Sequence, residues 1–433
     1  MRTEKLFINN TQLSGYKSIE NISADLNSGL NIIIGKNAVG KTNFVNFFHK
    51  CLNFDFTHSN NFKSYFSIDF NRIKYEFQFE KTTSLQKIDE ALSIKSDMLN
   101  MRRFQPNFTA KLKIEDRKNQ IIGNFVSEEE EQCSDFFKNQ LLFDNIQLNS
   151  SMIKHGLPKN YSIIDAPLSI ELLNRSISDE FINLYNAENQ SVFYKTLLFS
   201  TLTADILESN YFNKKLRSES SISKFTSDKK RAYKKDILRD LEYLKDLKDL
   251  LRQYSPIEDI RFNDSFNLDI DYANEKVTLR NFFLEFSIDK KWFSFDDLSD
   301  GTKRTFYIIS EIFILDRNTF KSDLFGKDET ISTHFLNVIF IEEPELGIHP
   351  HQLFKLMKFL KEKSYTNQII ITTHSPLSLD ILERDELEAI LVAEKINGVT
   401  KLKKLSQEKM DKAHLYMNEL NLSDFWLNSD LED

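Results

Sequence analysis

Residues Gly29 to Phe44 read GLNIIIGKNAVGKTNF, and they set the frame for the rest of the chain. Leu30 to Ile34 form an apolar run of strand character. A glycine-bounded loop follows, and then Phe44, Val45, Phe47 and Phe48 recur at helical spacing. Gly35-Lys36-Asn37-Ala38-Val39-Gly40-Lys41-Thr42 fits G-x-x-x-x-G-K-[ST] at each position. The chemistry requires these residue types. Glycines let the backbone curl so that successive N–H groups, including that of Asn43, converge on an anion. The helix opening near Lys41 adds its positive end. Lys41 reaches β- and γ-phosphates, and the Thr42 hydroxyl suits Mg2+. With only 10 glycines in the chain, this one lies between the expected strand and helix.

A second apolar run, Val338 to Ile341, has the continuous character of a parallel strand buried on both faces. Glu342 and Glu343 follow it, at the strand end where open α/β sheets bind ligands. Glu342 is placed to hold Mg2+, and Glu343 to orient or deprotonate a water. A third run, Ile369 to Ile371, ends in Thr372-Thr373-His374, where a polar group can meet a terminal phosphate. Between the first and second runs stands LSDGTKRTF, Leu298 to Phe306, before the apolar helical pattern YIISEIFIL. It reads either as a helix start capped by Ser299 or Asp300, or as half of a nucleotide site completed by another chain.

These elements, in this order, resemble the ABC-type ATPase core of the SMC, RecF and OLD-like families. The resemblance covers about the first 50 residues and about 290–385. It implies an ATP- and Mg2+-dependent ATPase whose catalytic residues are Lys41, Glu343 and the switch histidine His374. It further implies a head-to-tail homodimer in which Ser299 and Gly301 contact the nucleotide of the partner, with further assembly left open. Tyr16-Lys17-Ser18 is similar to a nucleotide-flanking turn. The sequence departs from the common pattern at Asp300, at Glu342 in place of aspartate, and at LGIHP (Leu346 to Pro350) in place of the usual D-loop. No Q-loop glutamine is assignable; Gln140 and Gln147 are candidates by position.

EEPE-x-x-x-HP with THSP is the OLD-like form. About 60 residues follow His374, too few for the TOPRIM nuclease domain of OLD proteins. The chain therefore resembles the ATPase subunits of bacterial anti-phage systems, the AriA type of PARIS and the PtuA type of Septu. That resemblance implies a sensor and scaffold controlling a separate nuclease of TOPRIM or HNH type, with a phage-derived trigger. The alternative is a RecF- or SMC-like DNA-repair ATPase that binds DNA in an ATP-dependent way. A transporter subunit is disfavoured by the split core.

The expected fold is α/β: an ABC-type ATPase head, with a mixed N-terminal β lobe and a parallel-sheet P-loop core, split by a mainly helical insertion. The expected domains are 1–126, the insertion 127–264 and 265–433. Within the insertion Ile237, Leu241, Leu244, Leu247 and Leu251 share one helical face, consistent with half of a short coiled-coil hairpin. KKRAYKK (Lys229 to Lys235) reads as a solvated face or a phosphate contact. The net charge of −8 gives no global basic footprint, so wholesale nucleic-acid binding is not expected. Cys51 and Cys133 form no motif and fit a reducing compartment. No run approaches the roughly 20 apolar residues of a membrane span, and MRTEKLFINN lacks a signal-peptide core, so the expected location is the cytoplasm.

Overall fold

The computed structural model describes residues 6–56, 61–70, 73–85, 104–116, 118, 120–128, 141, 146–154, 168–171, 244–263, 265, 267–271, 276–280, 284–325 and 334–428. The fold is mixed α/β, and the chain divides into two compact units. The first comprises Met1–His155, Lys321–Glu345 and Leu360–Asp433; the second comprises Gly156–Phe320 and Leu346–Phe359.

The first unit holds two six-stranded sheets. One is antiparallel, in the order β2-β1-β4-β5-β6-β7. Its strands are β1 (Phe7–Ser14), β2 (Ile22–Asp25), β4 (Phe62–Phe70), β5 (Ile73–Leu85), β6 (Phe104–Glu115) and β7 (Ile121–Ser127). Alternation of Phe66 and Ile68 in β4, and of Tyr75, Phe77 and Phe79 in β5, turns a phenylalanine-rich face inward. The other sheet runs β18-β17-β3-β16-β15-β8. Its strands are β3 (Leu30–Ile34), β8 (Ile146–Ile153), β15 (His334–Glu342), β16 (Gln368–Thr372), β17 (Ile390–Ile396) and β18 (Val399–Lys404). All its pairings are parallel except β17 with β18. β3 and β16 are buried along their whole length, as continuous apolar runs in a doubly covered sheet must be.

Helix α1 (Lys41–Leu52) lies between the two sheets. Phe48 carries the contact, with ring centroids 6.4 Å from Phe66 on the antiparallel side and 5.5 Å from Phe340 on the parallel side. Burying such a ring is worth about 1.5–3 kcal/mol, so this face holds the helix more strongly than its propensity does. The Gln368 amide also ties the sheets together. It accepts from Ile8 N at 2.9 Å and donates to Ile8 O at 2.7 Å, standing in for a backbone pair.

Among the described residues the second unit has two three-stranded antiparallel sheets. One is β10 (Asp259–Phe262), β13 (Leu284–Ile288) and β14 (Lys291–Ser294); the other is β11 (Asn267–Asp271), β12 (Lys276–Arg280) and β9 (Leu168–Glu171). Helix α2 (Leu244–Tyr254) buries Leu247 and Leu251, two positions of the expected amphipathic face. Ile237, Leu241, Cys133, Gln140 and the cluster 229–235 lie outside the described residues. So does most of 127–264; within that span β8 joins the parallel sheet. Helix α3 (Asp300–Phe325) is anchored through Phe306, whose ring meets that of Phe286 in β13 at 4.8 Å. Helix α4 (Pro350–Lys363) follows the β15 loop. In the first unit, α5 (Gln407–Tyr416) and α6 (Leu422–Asn428) come after the β17–β18 hairpin. No described helix is long and apolar enough to cross a membrane.

Candidate nucleotide site

Strand register brings distant residues to one edge of the parallel sheet. Ile33 pairs with Thr372, and Thr372 with Glu342. The three strands therefore end side by side, and Gly35, Glu343 and Thr373 emerge together. Two backbone bonds fasten the edge: Glu343 N donates to Thr372 O at 2.7 Å, and Thr373 N donates to Ile33 O at 3.1 Å.

The loop between β3 and α1 curls as its glycines allow. Gly35 has φ 148° and Gly40 φ 105°, with Ala38 between them at 61°. A Cβ on Gly35 would lie 2.3 Å from Ala393 O, so neither the conformation nor the space admits another residue there. Lys36, Asn37 and Ala38 are exposed at the mouth of the loop, whereas Val39 is buried beneath it. Lys41 is 5% exposed, and its ammonium turns back under the loop. It donates to Gly35 O at 2.5 Å and Lys36 O at 3.2 Å, and lies 3.1 Å from His374 Nδ1.

An ammonium has no lone pair, so Nδ1 must accept from it, which places the imidazole proton on Nε2. That nitrogen lies 3.4 Å from Glu343 Oε1. Lys41, His374 and Glu343 thus form one polar chain across three strand ends. Glu343 adopts φ 45°, a left-handed conformation that glutamate rarely takes. This backbone turn separates the two adjacent acids. Glu342 is 2% exposed and accepts from Asn46 Nδ2 at 3.0 Å, while Glu343 is half-buried and faces His374.

The donor set suits Mg2+, a hard ion that favours oxygen. Asn46 Nδ2 also bonds Thr42 O at 2.8 Å, so one amide ties the first turn of α1 to the Glu342 carboxylate. The Thr42 residue is exposed. Thr372 Oγ1, beside Glu342 in register, is buried without a hydrogen-bond partner among the described residues.

The sequence reading passed over Asn46 and Glu345. Asn46 lies four residues after Thr42, on the same helical face, and that spacing is the signal that finds it. Glu345 Oε1 accepts from His374 N at 2.7 Å and so fixes the backbone that carries the imidazole. Its signal is the third acid of EEPE.

In the second unit Ser299 caps α3. Its hydroxyl accepts from Thr302 N at 3.3 Å and meets Thr302 Oγ1 at 2.9 Å, while Asp300 is the first helical residue. Ser299 is exposed and Gly301 is buried. A Cβ on Gly301 would fall 2.2 Å from Gly347 O, so this glycine serves a close backbone approach by the LGIHP loop. The turn at Tyr16-Lys17-Ser18 adjoins α1, with the Tyr16 ring stacked on Phe47 at 4.5 Å.

A family model described as "AAA domain, putative AbiEii toxin, Type IV TA system" matches residues 30–380. No curated protein matches the chain. Among solved structures it is similar to an Smc head bound to the C-winged helix domain of ScpA. The identity is 14%, over 94% of this chain and 99% of that one, with a TM-score of 0.43. It is also similar to an Smc head with an extended coiled coil bound to the C-terminal domain of ScpA, derived from Pyrococcus furiosus. There the identity is 14%, over 96% and 100%, with a TM-score of 0.42. For the SMC head domain from Thermotoga maritima the identity is 11%, over 92% and 99%, with a TM-score of 0.36.

Proposed function

The chain belongs to the AAA-domain family whose model spans residues 30–380, and from that premise we propose that it binds ATP in the loop between β3 and α1 and hydrolyses it. The observation that carries this reading is the polar chain from Lys41 through His374 to Glu343, at 3.1 and 3.4 Å, ending beside the phosphate-binding loop. On ATP binding the Lys41 ammonium exchanges loop carbonyls for phosphate oxygens. The Glu343 carboxylate accepts a proton from the attacking water, whose oxygen bonds the γ-phosphorus as the bond to the leaving ADP oxygen breaks. His374, with its proton on Nε2, holds the carboxylate in place. Thr42 and Glu342 would hold Mg2+, which neutralises phosphate charge when bound. The test is phosphate release by the purified chain with ATP and Mg2+. Chelation of the metal and the substitution Lys41→Ala should each abolish release. Unchanged release in Lys41→Ala would refute the site.

A second copy of the chain completes this proposal. Ser299 is exposed at the N-terminus of α3, available to a nucleotide held by the partner in a head-to-tail homodimer. Gly301 supports that terminus through its packing on Gly347. Mixing Lys41→Ala chains with Ser299→Arg chains should restore part of the activity, because one composite site stays intact. No recovery in verified heterodimers would refute sharing. For the biological role, we propose a defence ATPase: a sensor and scaffold that controls a separate nuclease effector. The OLD-like EEPE-x-x-x-HP pattern and a family description that names a toxin of a type IV system support it. Co-purification with the product of the neighbouring gene, with and without ATP, tests it. Steeply salt-dependent DNA binding would favour the RecF- or SMC-like role instead.

A further inference from the structure

Thr400 lies far along the chain from the phosphate-binding loop, in the β17–β18 hairpin, and no motif includes it. It is 1% exposed. Its hydroxyl meets Val39 O at 2.7 Å and Ser18 Oγ at 3.0 Å. Ser18 Oγ in turn lies 3.0 Å from Asn43 Nδ2, on the first turn of α1. Thr400 Oγ1 is the donor in both contacts, sharing its one proton between Val39 O and Ser18 Oγ, with the shorter bond going to the carbonyl. Ser18 Oγ also accepts from Asn43 Nδ2. A backbone bond from Thr400 N to Ser18 O, 3.1 Å, holds the turn and the hairpin in register beside it.

The consequence falls on the next N–H. A trans peptide is planar, so the Val39 carbonyl and the Gly40 N–H point in opposite directions. Tying the carbonyl to Thr400 commits the Gly40 N–H to the opposite side of the peptide. Gly40 is itself in a left-handed conformation, and a Cβ there would lie 2.3 Å from Thr400 Oγ1 and 2.9 Å from Ser18 Oγ. The Thr400 and Ser18 hydroxyls therefore sit directly against the glycine whose amide the anion requires. We propose that Thr400 is a positioning residue of the nucleotide site, holding the Val39–Gly40 peptide with its N–H turned toward bound phosphate. This assignment rests on the ATP-site reading above.

Thr400→Val keeps the shape of the side chain and removes the donor, leaving a buried carbonyl unpaired and the peptide free to rotate. The probe is mant-ATP with Mg2+, titrated by fluorescence, alongside the thermal midpoint without nucleotide. Thr400→Val should bind about tenfold more weakly, equivalent to about 1.4 kcal/mol. Thr400→Ser should bind within about twofold of the wild type, since it restores the donor. Ser18→Ala removes the second acceptor and leaves the Thr400 bond to Val39 O in place, so it should bind within about twofold of the wild type. A loss there as large as that of Thr400→Val would place the effect on the Ser18 turn and overturn the assignment. Equal binding by wild type and Thr400→Val overturns the assignment. So does a Thr400→Ser variant as weak as Thr400→Val, which would make Thr400 a packing residue only. Should Thr400→Val fail to fold, Thr400→Ala decides, and unchanged affinity there overturns the assignment. A wild-type chain that binds no mant-ATP overturns the ATP-site reading itself, and with it this role for Thr400.

Discussion

Glu343 joins a chemical expectation to a conformational one, and a pair of substitutions separates them. Its φ of 45° places an L-residue with a Cβ in the left-handed region, at a cost of about 1–2 kcal/mol. Glu343→Gln keeps that backbone and removes the charge. Loss of a general base typically costs 10²–10⁴-fold in rate, so hydrolysis should fall by about that factor with stability unchanged. Glu343→Gly removes both base and strain. Relief of about 1–2 kcal/mol is offset by about 0.5–1 kcal/mol for the greater freedom of glycine in the unfolded chain. The net gain is about 0.5–1 kcal/mol, a rise in melting temperature of about 0.5–1 °C over Glu343→Gln for a chain of this length. The paired assay is steady-state phosphate release at saturating ATP and Mg2+, with thermal unfolding of both variants without nucleotide. Turnover above about a tenth of wild type in Glu343→Gln would refute the base assignment. A Glu343→Gly chain less stable than Glu343→Gln would show that this residue stores no backbone strain.

Further outcomes follow from the same geometry. Gly35→Ala should destabilise the loop by about 2–4 kcal/mol, since it forces both a left-handed φ of 148° and a Cβ 2.3 Å from Ala393 O; unfolding midpoints measure this, and a loss below about 0.5 kcal/mol would contradict it. Burial and the positive charge of Lys154 hold the His49 imidazole down at about 4. The unfolded chain binds that proton near pH 6.5, so the stability contributed by neutral His49 is complete above that pH and is lost as pH falls toward 4. At pH 5 the loss is about 2 kcal/mol, and His49→Gln should flatten the acid limb of a urea-midpoint profile by that amount.

Much of the fold was legible because its signals are local. The strand–loop–helix of Leu30 to Leu52 follows from apolar runs, two glycines and helical periodicity within one contiguous stretch. Val338 to Ile341 and Ile369 to Ile371 likewise read as buried strands, and both lie in the parallel sheet. Ser299 was readable as a cap from its place before an apolar helix. The pairing of β8 with β15 was not readable, because strand partnership depends on which edge remains open after the rest of the sheet has formed. The contact of Gly301 with Gly347 was equally hidden, since a glycine required by a neighbouring backbone looks the same in sequence as one required by a phosphate.

The residue order alone settles that a glycine-bounded loop joins β3 to α1 and that acids and a histidine end two further strands. Dihedral freedom, N–H direction and strand burial are set within a few residues, and there the identities decide. How those residues meet is a matter of tertiary packing. It set Lys41 against His374 and His374 against Glu343 through the register of β3, β16 and β15. It also divided Glu342 from Glu343 by a left-handed turn, and drew Thr400 from a distant hairpin onto Val39. Hydrogen bonds of this kind depend on positions to within a fraction of an ångström, and packing across sheets, not local sequence, fixes distances on that scale.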